Sequence, residues 1–87
     1  MTYFFDSSAL VKLYHSERGS SRVEAAFREP DRQIIVSRLA GVEFHSALSL
    51  KVRTGQLGVD ESASLRLRFL GDVTAGAIAV IGVGELH

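Results

Sequence analysis

Asp6 is the first residue whose type and position could support chemistry. It directly follows an apolar run at residues 3–5 and precedes Ser7 and Ser8. The run favours a short buried strand, and an apolar helical pattern starts just after it. Asp6 is therefore predicted at the carboxyl end of a strand, where open α/β sheets bind their ligands. Two interpretations follow: Asp6 or a neighbouring serine caps the next helix, or Asp6 is a metal ligand, nucleophile or base.

Glu43 is the second such residue, and it lies within a predicted third helix. A carboxylate on the buried face of a helix is costly unless it is paired or binds a metal. The alternatives are an ion pair with a buried Arg or Lys, or a helix rotated so that Phe44 and Leu48 face inward. At 3.6 residues per turn Glu43 is at the centre of an apolar arc formed by Leu39, Val42, Ser46, Ala47 and Leu50.

A strand end and a helix face could bring Asp6 and Glu43 to one point. The chain has no cysteine, and its histidines lack zinc-ligand spacing. Two carboxylates around a cleft suit a hard cation, Mg²⁺ or Mn²⁺. Such ions position phosphates and activate water in phosphodiester hydrolysis.

The elements that would position these two residues alternate strands with pairs of helices. Strands separated by helices imply right-handed crossovers and a parallel sheet. Strands are predicted at residues 3–5, 33–36 and 77–81. Between the first two strands we predict a helix at 10–18 that Gly19 stops and a second helix that starts at Ser20 and ends before Pro30. Between the last two strands we predict a helix that Ser37 caps and that ends near Arg53 and Gly55, and then a helix that Asp60 and Glu61 open and that carries Leu65, Phe69 and Val73.

The composition predicts one small domain with its own core. The chain has 87 residues, of which 46% are hydrophobic, and its ten basic and ten acidic side chains cancel. Net charge therefore offers no argument for a nucleic acid or membrane partner. The absence of cysteine excludes a disulfide scaffold. Without a membrane-length apolar run or a signal peptide pattern, we expect a cytoplasmic protein.

Several other patterns are open to more than one interpretation. His15 and His45 are expected on different helices and exposed to solvent. Phe44 and Leu48 form an apolar strip that either packs on a neighbouring helix or forms a groove for a partner helix. Three arginines either contact RNA phosphates or form a solvated face: Arg53, Arg66 and Arg68.

Three blocks of the sequence resemble the opening of a PIN domain, most closely the VapC-type ribonuclease toxins of bacterial toxin–antitoxin pairs. They are Y-F-F-D-S-S-A-L-V-K-L-Y-H-S-E-R-G-S from residue 3, I-I-V-S-R-L-A-G-V-E-F-H-S-A-L from residue 34, and R-T-G-Q-L from residue 53. The resemblance spans nearly all of residues 1–87 in order and spacing. It implies a three-layer α/β/α domain with a central parallel sheet.

The resemblance also implies an activity and a site. Members cut RNA with Mg²⁺ or Mn²⁺ held by acidic residues at the carboxyl edge of the sheet. Asp6 matches the first acidic ligand and Glu43 the second. Ser8 matches a small polar position that supports the first Asp at the cofactor site, and Glu17 matches an acidic position without a catalytic role. The implied partners are RNA, a VapB-like antitoxin and a second copy of the chain.

The family pattern continues beyond His87, the last residue of this sequence. Members continue through further helices and strands that carry the remaining acidic ligands, so we expect this chain to be the N-terminal portion of a domain truncated to about three strands. Glu85 follows the last predicted strand and matches no family motif. The alternative function is therefore a catalytically inactive fragment that only binds an antitoxin or associates with itself.

Overall fold

A computed structural model describes residues 1–15 and 20–82. The order of strands and helices is the predicted one. The elements are β1 (Thr2–Phe5), α1 (Ser7–Tyr14), α2 (Ser20–Arg28), β2 (Gln33–Ser37), α3 (Arg38–Arg53), α4 (Val59–Thr74) and β3 (Ala79–Ile81).

The three strands form one parallel sheet in the order β1-β2-β3, with β2 in the middle. Phe5 is opposite Val36 in the first pair of strands, and Val36 is opposite Val80 in the second. Over the described residues the fold is therefore α/β with a three-stranded parallel sheet and four helices. The predicted fold class is confirmed at this level, and both β1 and β3 are edge strands of the described sheet.

Local signals in the sequence set several helix boundaries correctly. The Ser37 hydroxyl accepts a hydrogen bond from the Ala40 amide at 3.0 Å and caps α3. Gly55 follows that helix with a φ of 77°, a conformation that a side chain would strain. Pro30 follows α2, which ends at Arg28.

The bounds of α1 differ from the prediction of 10–18. The helix begins at Ser7, because Asp6 caps it and the next two serines enter its first turn. It ends at Tyr14, after which His15 has an extended backbone with φ −117° and ψ 112°. The rest of the predicted segment and its stop at Gly19 lie outside the described residues.

The core lies on one side of the sheet, where the strands meet α1, α3 and α4. Aromatic rings join the three helices: the centroid of Phe44 is 5.7 Å from that of Tyr14 and 5.1 Å from that of Phe69. On the opposite side of the sheet, Phe4 is 69% exposed. The fully buried large side chains are Leu10, Ile34, Val36, Phe44, Leu48 and Ile78.

Of the two orientations that the sequence left open for α3, the structure has the one in which Phe44 and Leu48 face inward. Leu39, Val42 and Leu50 are 63%, 62% and 52% exposed, whereas Phe44 and Leu48 are fully buried. The aromatic ring of Phe44 packs against the rings of Tyr14 and Phe69, which also contact each other, and this packing turns the other apolar arc to solvent. Because Phe44 and Leu48 pack in the core, they form no groove for a partner helix.

No helix within residues 1–15 and 20–82 combines the length with the apolar character that spanning a bilayer requires.

Candidate active site at the carboxyl edge of the sheet

Asp6 lies immediately after β1 and caps α1. Its Oδ1 atom accepts a hydrogen bond from the Ala9 amide at 2.8 Å. The capping interpretation is therefore confirmed, and Asp6 is the residue that caps rather than Ser7 or Ser8. The bond occupies one carboxylate oxygen of an exposed side chain. The other oxygen can still bind a ligand, so capping and ligand binding are compatible.

Glu43 is exposed on α3 instead of buried. The cost of burying a carboxylate, which suggested a metal ligand from the sequence, therefore does not apply to it. Within the described ranges its carboxylate makes neither a hydrogen bond nor an ion pair. The predicted alternative of a buried ion pair is wrong, and the alternative of a rotated helix is correct.

Asp6 and Glu43 nevertheless line the same cleft, of about 250 Å³. It lies where β1 ends at Phe5 and β2 ends at Ser37, which is the carboxyl edge of the parallel sheet. We call it the acidic cleft. Its other lining residues are Phe4, Phe5, Ile35, Ser37, Ala40 and Ile81.

The chemistry of the acidic cleft favours a cation. Asp6 and Glu43 are its two charged lining residues, and none of the described residues that line it is basic. Mg²⁺ is often bound by one or two protein carboxylates, with water and substrate phosphates as its other ligands. Two carboxylates fit that kind of site. Groups of three or more His, Cys, Asp or Glu residues that could hold a metal do not occur in the described part of the chain.

Other predicted acidic and polar residues lie outside this cleft. Ser8 is exposed in the first turn of α1 and does not line it. Its support of Asp6 therefore stays a prediction. Asp60 and Glu61 are exposed in the first turn of α4, as expected. Glu17 and Glu85 lie outside the described residues.

Asp72, on α4, joins two helices. Its Oδ2 atom accepts a hydrogen bond from the Tyr14 hydroxyl at 2.5 Å, which ties α4 to α1. Burial, and then the hydrogen bond to this carboxylate, raise the pKa of Tyr14. The Arg68 guanidinium is 5.4 Å from the centre of the Tyr14 ring.

His45 belongs to a polar cluster that the sequence did not reveal. Its Nδ1 atom is 2.9 Å from Nη1 of Arg66, and its carbonyl accepts from Nη2 of the same arginine at 3.2 Å. Desolvation, and then the positive charge of Arg66, lower the pKa of His45. The prediction that His15 and His45 are exposed to solvent is wrong, since both residues are half-buried. His45 and Arg66 are 21 positions apart, and no local pattern indicated their contact.

The chain was compared with known protein families and with curated proteins. No family model matches it, and no curated protein matches it.

Proposed function

We propose that this chain is a metal-dependent endoribonuclease of the PIN type, acting as the toxin of a toxin–antitoxin pair. The supporting observation is that Asp6 and Glu43, from two different elements, line one solvent-accessible cleft at the carboxyl edge of a parallel sheet. The proposal includes the three-layer α/β/α architecture of that family.

Asp6 and Glu43 are the proposed ligands of one Mg²⁺ or Mn²⁺. When bound, the ion would supply Lewis-acid stabilisation of a phosphoryl oxygen and a lowered pKa for the attacking water. The cap to Ala9 fixes the orientation of the Asp6 carboxylate at the end of β1. Glu43 has no competing partner among the described residues, so its carboxylate is free to bind a cation.

The test is cleavage of RNA in the presence of Mg²⁺ or Mn²⁺. We expect the variants Asp6→Asn and Glu43→Gln each to lose cleavage, because each replaces a charged ligand with a weak neutral one. Asn also caps helices well, so Asp6→Asn retains the interaction that starts α1. Circular dichroism should show both variants folded.

Asp60→Asn is the matched control, because Asp60 is an exposed carboxylate outside the acidic cleft. It should cleave RNA like the unmodified protein. Retained cleavage in either Asp6→Asn or Glu43→Gln would rule out the proposed pair of ligands.

The proposed partners are an RNA substrate, a VapB-like antitoxin and a second copy of the chain, with the cytoplasm as the proposed location. A second candidate function, a non-catalytic module that binds an antitoxin or itself, is favoured by the exposed apolar surface around Phe4. Calorimetric titration with Mn²⁺ separates the two. A saturable site that Glu43→Gln removes supports the nuclease, and the absence of binding supports the module.

A further inference from the structure

Arg66 is a half-buried cation whose described contacts are all neutral. Its guanidinium bonds to Nδ1 and the carbonyl of His45, to Oγ of Ser49 at 2.9 Å and to Oγ of Ser62 at 3.4 Å. No carboxylate pairs with it in the described part of the chain. The contacts fix the guanidinium between α3 and α4 and leave its positive charge uncompensated.

Arg53 brings a second positive charge to the same place. Arg53 and Arg66 line a cleft of about 350 Å³ between α3 and α4, together with Ser49, Ser62 and apolar side chains. We call it the arginine cleft. Arg53 is exposed, and the described residues offer it no hydrogen bond or ion pair. It is therefore available to a ligand.

The charged side chains described in the lining of the arginine cleft are all positive. Its described lining contains two arginines, two hydroxyl groups and no acidic side chain. Asp60 and Glu61 are in the first turn of α4 but do not line it. An arginine fork matches the oxygen atoms of a phosphate group, and serine hydroxyls can donate to the same oxygens. The lining thus fits a phosphate.

The arginine cleft and the acidic cleft are both built on α3. Glu43 and Arg53 are ten residues apart on this helix, so their Cα atoms are separated by about 15 Å along its axis. A neighbouring cavity of about 460 Å³, lined in addition by Val42, His45 and Ser46, shares Ser49 and Arg53 with the arginine cleft. One extended strand of nucleic acid could follow this side of α3.

Electrostatics give a reason for a positively charged cleft near the acidic cleft. The net charge of the chain is zero, and the described lining of the acidic cleft has no basic residue to attract a polyanion. Affinity for nucleic acid comes mainly from basic side chains at backbone phosphates. If RNA is the substrate, the attraction must arise elsewhere on the surface.

We infer that the arginine cleft binds backbone phosphates of single-stranded RNA, with Arg53 as the direct contact and Arg66 as a fixed positive charge beside it. This subsite rests on the proposed nuclease function, because it holds a neighbouring part of the same substrate. It positions RNA along α3 and takes no part in the chemistry at Asp6 and Glu43.

The test is binding of a short fluorescein-labelled single-stranded RNA, measured by fluorescence anisotropy over a salt series without divalent metal. The variant is Arg53→Gln, and Arg53→Lys should restore binding in part because it restores the charge. Arg22→Gln is the matched control, since Arg22 is an equally exposed arginine that lines neither cleft.

We expect Arg53→Gln to weaken binding several-fold for RNAs of different sequence. The plot of log K against log salt should become less steep by about 0.7 for each phosphate that the protein no longer neutralises. Arg22→Gln should leave both quantities unchanged. Equal binding and equal slope for Arg53→Gln and the unmodified protein would overturn the inference, as would a protein that binds no RNA.

Two further measurements separate this subsite from the proposed function and from another kind of ligand. Binding that depends on Arg53 in a protein that cleaves no RNA supports the subsite and contradicts the nuclease. RNA cleavage by a protein whose RNA binding does not change in Arg53→Gln supports the nuclease and contradicts the subsite. A labelled polyglutamate peptide should bind weakly; tight, Arg53-dependent binding of that peptide without RNA binding would assign the cleft to an acidic protein partner instead.

Discussion

The carboxylate of Asp6 both orders the backbone and offers an oxygen at the edge of the sheet. Its bond to the Ala9 amide satisfies one of the unpaired donors of the first turn of α1. The same bond fixes one oxygen and thereby orients the other. The start of α1 therefore holds the second oxygen of the Asp6 carboxylate in a fixed orientation. This is why a replacement that retains the cap, such as Asp6→Asn, separates chemistry from folding.

At the residue scale, the pairing of His45 with Arg66 predicts a dependence of stability on pH. The pKa of His45 is lowered in the folded state by desolvation and by the charge of Arg66. The unfolded chain therefore binds the proton more readily. The stability from neutral His45 is complete above the unfolded pKa of about 6.5 and is lost as the pH falls through the lowered folded value.

The measurement is the free energy of unfolding in urea at about pH 7.5 and about pH 5.5, either side of the ordinary pKa of histidine. His45→Gln retains an acceptor for Arg66 but does not titrate. We expect the unmodified protein to lose more stability than this variant on acidification. Identical losses in the two proteins would show that protonation of His45 does not destabilise the fold.

The partners of single residues were the least predictable part of the site. Asp6 was identified from its position after a short apolar run, because strand ends are marked locally by composition. Arg66 and His45 are separated by a loop and two helical segments, and their contact depends on how α3 and α4 pack. The burial of Asp72 depends in the same way on α1, 58 residues away. Such contacts leave no periodic signal in the sequence.

At the scale of the helices, the bond between Tyr14 and Asp72 is expected to stabilise the packing of α1 on α4. Tyr14→Phe removes the hydroxyl and leaves the half-buried carboxylate without this donor. Hydrogen bonds to charged groups contribute about 1.5–3 kcal/mol, so we expect a loss of about 2 kcal/mol in the free energy of unfolding.

Urea denaturation near neutral pH measures this loss. Tyr3→Phe is the matched control, because Tyr3 also donates to a carboxylate, that of Glu29, but joins the less buried surface of β1 and the end of α2. It should cost less than Tyr14→Phe. An equal or smaller cost for Tyr14→Phe would mean that the bond to Asp72 contributes little to the packing of the helices.

Helix boundaries were predicted well where a local residue sets them, as Ser37 and Gly55 do for α3. The sequence did not determine which face of α3 is buried. Its sequence has two apolar arcs, one with Leu39, Val42 and Leu50 and one with Phe44 and Leu48, and periodicity alone does not rank them. Burial of an aromatic ring against two others outweighed burial of the aliphatic arc.

At the scale of the whole molecule, the described helices leave an apolar part of the sheet uncovered. Phe4 is 69% exposed and is opposite Ile35, which is opposite Ala79, so the three side chains form a row across one face. Both β1 and β3 also present an unpaired edge. Exposed edges and apolar faces favour association with another chain. The proposed homo-oligomer is expected to form through this face.

The last prediction is that a charge on this face weakens self-association. Phe4→Asp places a carboxylate where two apolar faces would meet, and burial of that charge would be costly. In sedimentation velocity over a range of concentrations, we expect the unmodified protein to associate and this variant to remain monomeric. Leu67→Asp is the control, because Leu67 is 68% exposed on α4 and gains the same charge on a surface other than the sheet face that carries Phe4. A monomeric unmodified protein, or equal effects of the two substitutions, would show that the open face of the sheet does not drive assembly.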